Sequence, residues 1–275
     1  MISLLLAMSL FTASLNSGSN GNCYYVANHH EAVLIDAGIS CREVEIRMKR
    51  LNLSMKKVKA IFITHEHTDH VKGVAGISKK YKLPVYVTPT TFQHRRLRVK
   101  DHLVFPFKAY EPVTIGRLTV TGFPKFHDAI DPHSFIVANE TVKVGVFTDL
   151  GVVCDDVVNH FKQCHAAFLE TNYDEHMLET GRYPYQLKNR VKSDVGHLSN
   201  TQALDLFVKH RPSFMSHLFL SHISKENNSP ILVENLFKHV AADTNIVIAS
   251  RYKETKVFPI RDQVAVQETQ LELFV

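Results

Sequence analysis

The ten residues Ile61 to His70 read IFITHEHTDH, a β-branched apolar run that breaks into three histidines and two acids within six positions. A structural histidine usually comes singly, with one ring nitrogen donating and the other accepting. Three rings and an aspartate in one short loop therefore point to a shared cation. His65 and His67, two residues apart, fall on the same side of an extended segment, and Asp69 and His70 follow where a helix can begin. One loop of this kind can supply ligands to two neighbouring metal ions. The competing reading is a solvated polar loop behind a strand, and Glu66 fits it, as a loop residue facing solvent or a neighbour.

A two-metal site needs further ligands, held at strand ends by a rigid sheet. Three side chains of ligand type stand at such exits: His127 in KFHDA, Asp149 in GVFTDLG and His222 in LFLSHIS. Taken singly each is ordinary turn or cap chemistry, and only the set is informative. Asp36 in VLIDAG shares the context and is expected either to orient a ligand histidine or to make a plain turn. Glu170 closes the apolar run AAFLE, and His197 lies in DVGHLSNTQAL just before a helix capped near Ser199 or Asn200. By residue type alone these two are a strand-end acid and part of a cap.

The elements that position these residues alternate along the chain. Strand-like runs are SLFTASL, CYYVAN, AVLIDAG, KAIFITH, LPVYVTP, LTVTGF, SFIVAN and VKVGVFTD. Helical patterns are CREVEIRMKRLN after Ser40, VKGVAGISKKY, NTQALDLFVKH and PILVENLFKHV. This order predicts two packed sheets with helices on their outer faces, in a single domain over residues 1–275. The opening MISLLLAMSLFTASL carries no Lys or Arg before its apolar run, which argues against export. We expect a cytoplasmic protein whose first strand starts near Met8, residues 1–7 being an extension. Four cysteines without a C-x-x-C pair exclude a zinc ribbon and a disulfide scaffold. No stretch is apolar and long enough for a membrane span. A net charge of +5 favours an anionic partner.

THEHTDH with His127, Asp149 and His222 resembles the metallo-β-lactamase superfamily. The resemblance implies an αββα sandwich of the α/β class, two mixed sheets flanked by helices, with two divalent metal ions (Zn, Mn or Fe) at one edge. It gives His65, His67 and His127 to the first metal, Asp69, His70 and His222 to the second, and Asp149 as the bridging carboxylate. Glu170 and His197 are similar to the Glu and His motifs of the tRNA 3′-processing endonucleases, where the pair handles the leaving-group proton. More narrowly, SLNSGSNGNCYYV, VLIDAGIS, FITHEHTDHVKG, FTDLG, DVGHLSN and SHISKENN resemble the WalJ/YycJ-like branch. That resemblance implies a 5′ to 3′ exonuclease on double-stranded DNA, with a metal-bridging hydroxide as nucleophile, Asp69 as possible acceptor of its proton and His197 as general acid. The partner is then nucleic acid, DNA above RNA.

Candidate phosphate contacts are Arg95 and Arg96 in HRRLRVK and Lys188 and Arg190 in RYPYQLKNRVK, where cations interleave with aromatics. Ser17 and Asn20 in the Gly-rich turn and Asn227 and Asn228 after the last histidine join them, with turn formation as the alternative; HRRLRVK equally suits a solvated helix face. Three other functions remain in view: an RNA-processing endonuclease, a glyoxalase-like thiolester hydrolase sharing every metal ligand but independent of His197, and a non-enzymatic metal-binding module.

Overall fold

Strands buried on both faces read as continuous apolar runs, because each successive side chain meets a different packed layer. The computed structural model, which describes residues 9–93 and 97–262, shows this directly. In β3 (Ala32–Ile35) and β4 (Val58–Phe62), Val33, Ile35, Ala60 and Phe62 face one core while Leu34 and Ile61 face another. In β11 (Ala166–Glu170) and β12 (His217–Ser221), Phe168 and Phe219 join the first core, and Leu169, Leu218 and Leu220 join a third.

The first core lies between two seven-stranded sheets. One sheet runs in the order β14 (Phe258–Ile260), β1 (Leu10–Asn16), β2 (Cys23–Ala27), β3, β4, β5 (Val85–Val87), β6 (Val104–Pro106). The other runs β13 (Asn245–Ile248), β12, β11, β10 (Lys143–Phe147), β9 (His133–Ala138), β8 (Leu118–Pro124), β7 (Val113–Ile115). Each sheet is mixed: β3 to β6 and β10 to β13 are parallel, and the remaining pairs are antiparallel.

Helices cover the outer faces. Val44 and Met48 of α1 (Cys41–Arg50) and Val74 and Ile77 of α3 (Val74–Tyr81) pack on the first sheet. α5 (Asp155–Phe161), α8 (Asn200–His210) and α9 (Pro230–Lys238) cover the second, burying Phe161, Phe207 and Phe237. Ser40 caps α1 by accepting from Glu43 N–H, and Ser199 with Gln202 forms a capping box on α8. This is the expected αββα sandwich. Strands β6, β7, β13 and β14 add to those read from the sequence. No helix among the described residues is long and apolar enough to cross a membrane, and the four cysteines are free.

Candidate metal centre

The candidate ligands gather at the carboxyl ends of β4, β8, β10 and β12, the end at which parallel α/β sheets present their loops to ligands. Three exits share one backbone device. Asp36 after β3, Asp149 after β10 and His222 after β12 have φ of +59°, +55° and +53°. This left-handed region is one that Asp and His tolerate better than bulkier residues. It turns the chain sharply at the sheet edge, where the donors converge.

Four of the rings are fixed through Nδ1. His65 Nδ1 lies 2.9 Å from Thr64 Oγ1, His70 Nδ1 2.6 Å from Asp36 Oδ2, His127 Nδ1 3.0 Å from Gly196 O, and His222 Nδ1 2.8 Å from Glu170 Oε1. Asp36 also accepts from Thr64 N–H and the Thr64 hydroxyl, so one buried carboxylate sets the rings of both His65 and His70. Gly196 is obligatory here, because a Cβ would stand 2.3 Å from the carbonyl oxygens of Arg190 and Val191.

The opposite atoms are left open. Nε2 of His65, His127 and His222, together with Asp149 Oδ2 and Asp128 Oδ1, are buried without a hydrogen-bond partner. Orphaned buried polar atoms of this kind cost stability unless another group satisfies them. The donors fall into groups whose ligand atoms lie within 4.8 Å of one another: His65, His67 and His127; Asp69, His70 and His222; His65, His70 and Asp149; Asp149, Glu170, His197 and His222. His65, His70, Asp149 and His222 each belong to two groups, so the clusters adjoin through shared donors. Imidazoles and carboxylates facing one small volume fit divalent cations.

The charge balance says the same. Burial draws His65 well below its ordinary pKa, lowers His67, and takes His127 down to about 4, leaving neutral rings with a lone pair to give. Burial would raise Asp149, but His222, His70 and Lys125 hold it well below the carboxylate range. For His222 burial opposes charge, yet Asp149, Asp69 and Glu170 push it up to about 10, and His70 is raised in the same way, chiefly by Asp149. Two imidazoles are thus driven to become cations by carboxylates that demand positive charge.

Glu170 is the hub behind this cluster. Fully buried, it contacts both His197 Nδ1 and His222 Nδ1 at 2.8 Å through Oε1, and through Oε2 accepts from the N–H of Leu150 and Leu198. Burial would raise its pKa, but His197 and His222 hold it down to about 2. His197 keeps partial exposure, its ring 5.2 Å from those of both His127 and His222.

The proposed strand contacts are dispersed. Ser17 is buried; its hydroxyl accepts from His222 N–H and meets Tyr24 Oη, so it braces a ligand loop. Asn228 is equally internal, donating to the carbonyls of Thr171 and Asn172 and to Asn200. Asn227 is buried, its N–H bonded to Ser224 Oγ. Ser17 and Asn228 hold loops rather than face outward, because their polar atoms close onto chain that the sequence separates widely, whereas Asn227 Oδ1 is buried without a hydrogen-bond partner. Asn20 is exposed and donates to Arg251 O. On α7 (Tyr185–Lys192), Lys188 donates to Glu179 O, and Arg190 pairs with Asp128 beside His127. Arg95 and Arg96 lie outside the described residues. Glu66 is buried against a neighbour, accepting from Ile130 N–H.

Several site residues went unread in the sequence: Thr64, Asn22, which contacts Asp69 and His70, Asn172, which donates to His222 O, and Lys125, buried and donating to Thr148 O. Their only signal is adjacency to a motif residue.

Two sheets with flanking helices and this strand-exit donor set define a class. Residues 31–223 match the beta-lactamase superfamily domain. The crystal structure of the metallo-beta-lactamase fold protein YhfI from Bacillus subtilis superposes with a TM-score of 0.71 at 16% identity, covering 91% of this chain and 99% of that one. Within the class the likeness narrows. Exodeoxyribonuclease YycJ of Bacillus anthracis is 35% identical over 224 residues, 80% of this chain and 85% of the relative. Exodeoxyribonuclease WalJ of Streptococcus pneumoniae is 28% identical over 244 residues, 87% and 91% respectively. The chain belongs to the YycJ/WalJ family of the beta-lactamase superfamily.

Proposed function

We propose that the protein is a metal-dependent nuclease, a 5′ to 3′ exonuclease on double-stranded DNA. The observation that carries this reading is the Glu170–His197 pair, an imidazole anchored through Nδ1 at 2.8 Å by a buried carboxylate and partly exposed at the mouth of the donor cluster. A thiolester hydrolase needs no such group, because a thiolate leaves without a proton. A sugar oxygen leaves poorly unless it is protonated.

His65, His67 and His127 would hold one divalent cation and Asp69, His70 and His222 a second, with Asp149 between them. Such cations lower the pKa of a water and offset charge on the phosphoryl oxygens. The chain's own residues do the rest. Asp36 and Thr64 keep His65 and His70 in one tautomer and orientation. Asp69, with only part of its carboxylate exposed, accepts the proton of the attacking water. As the P–O3′ bond breaks, His197 gives its Nε2 proton to the departing 3′ oxygen while Glu170 steadies Nδ1. The products are a 5′-phosphate and a 3′-hydroxyl.

The test is digestion of end-labelled single- and double-stranded DNA and RNA with zinc, manganese or iron(II). Metal-dependent release of mononucleotides from the 5′ ends of duplex DNA is the expected result. Preferential cutting of a labelled tRNA precursor would replace this reading with RNA processing, and metal binding without any phosphodiester cleavage would replace it with a non-enzymatic role.

A further inference from the structure

One residue beyond His222 the surface opens into a cavity of about 100 Å³, walled by the chain that follows β12 and β13. Its floor is apolar, including Ile248, and the exposed Tyr252 stands at its rim. Its polar side chains include the Ser224 and Ser250 hydroxyls and the Lys225 and Arg251 cations. Ser224 Oγ accepts from Asn227 N–H and Ser250 Oγ from Tyr252 N–H, so each hydroxyl still has its own proton to give. Arg251 is fixed through its carbonyl, which accepts from Asn20 Nδ2, while its Nη1 is buried with no hydrogen-bond partner. The Lys225 ammonium is exposed and reaches Glu226 at 3.6 Å. No Asp or Glu lines the cavity, and the amide of Asn228 is spent on Thr171, Asn172 and Asn200. Among the described residues the cavity therefore offers hydroxyl donors and positive charge without a carboxylate.

Such a chamber selects an anion. Its volume is well below the roughly 300 Å³ at which pockets for whole small molecules begin, and it suits a single tetrahedral group. It is also tied to the metal centre: Ser17, whose hydroxyl accepts from His222 N–H, donates its own N–H to Ser250 O. We propose that this cavity is a phosphate subsite which holds a second phosphate of the substrate strand beside the one being cleaved. Arg251 and Lys225 supply the charge, and Ser224 and Ser250 the hydroxyl donors. This inference rests on the nuclease reading and deepens it, because a substrate with a single phosphoryl group cannot reach both places. The phosphate is either the strand's terminal monoester or an internal diester.

The test compares wild type with Arg251→Gln, Lys225→Gln and the double variant on 5′-phosphorylated duplex, 5′-hydroxyl duplex and bis(p-nitrophenyl) phosphate. For duplex, KM rises about tenfold for each lost contact and the slope of log affinity against log salt falls by about one per cation. The kcat for duplex and turnover of the small diester stay unchanged. A rise confined to the 5′-phosphorylated duplex assigns the terminal monoester, and an equal rise on both duplexes assigns an internal diester; either upholds the subsite. Unchanged KM and salt slope in the double variant overturn it. So does an equal loss on bis(p-nitrophenyl) phosphate, which would make Arg251 a scaffold for the metal loops. If wild type leaves every nucleic acid uncut, the nuclease reading falls, and the cavity is read by titrating inorganic phosphate calorimetrically into metal-loaded wild type and double variant. A binding event present in the first and absent from the second upholds the phosphate subsite, and its absence from wild type overturns it.

Discussion

At the scale of single residues, the proposed reaction turns on Glu170 and His197. Glu170 is buried and contacts two imidazoles with one oxygen and two backbone N–H groups with the other, so replacing it would disturb several loops at once. His197 is the cleaner probe, because its ring is partly exposed and its removal leaves the Glu170–His222 contact in place. General-acid catalysis contributes about 10²- to 10⁴-fold, and it is worth most when the leaving group is basic. His197→Ala should therefore lower kcat on duplex DNA by roughly that factor. It should leave metal content unchanged and barely affect bis(p-nitrophenyl) phosphate, whose nitrophenolate departs unprotonated. An equal loss on both substrates would move His197 from proton donation to maintenance of the metal cluster.

Elements explain how far the sequence could be read. The strands β1, β3, β4 and β10, buried on both faces, and the amphipathic α1, α8 and α9 announce themselves by pattern, since burial on both faces or on one stripe leaves an apolar trace. The three- and four-residue strands β6, β7, β13 and β14 lie at or next to sheet edges and carry partly exposed residues, so no run is long enough to register. Donor types at strand exits were legible for the same reason as the strands themselves. Their partners were not: Ser17 meets His222 across 205 positions, a closure that no local pattern encodes. Gly38 is a further case. It lies behind β3, donates its N–H to Asn22 O, and stands so close to the metal-motif loop that an added Cβ would fall 1.6 Å from Asp69 O. Asn22 N–H donates to that same carbonyl. Gly38→Ala must push the Asp69–His70 segment away from its supports, an overpacking cost of about 1–3 kcal/mol. A lowered midpoint in urea together with weaker metal binding is the expected result. Wild-type metal affinity in a destabilised variant would show that the loop moves without disturbing its ligands.

At the scale of the whole molecule, metal, protons and stability share one linkage. In the metal-free chain His222 has its pKa raised to about 10 and His70 is raised likewise, so both rings are imidazolium at neutral pH. A group with a raised folded pKa stabilises fully below its unfolded value, near 6.5 for histidine, and loses that contribution as pH climbs through the folded value. The metal-free fold is therefore expected to lose His222's contribution between about 6.5 and 10. Glu170, lowered to about 2, keeps its contribution throughout that range, since it is lost only as pH falls below the carboxylate's ordinary value toward 2. Metal binding runs the other way, because a ring must shed its proton to become a ligand. Loading at pH 7 should thus release roughly two protons per chain, one each from His70 and His222, measured by calorimetry in buffers of different ionisation enthalpy. The difference in Tm between metal-loaded and chelator-treated protein should widen from pH 6.5 to 9, as affinity grows while the metal-free fold weakens. A gap that stays constant or narrows over this range, with no protons released, would mean that His70 and His222 are already neutral before metal arrives, and that the carboxylates around Asp149 are balanced by some other charge.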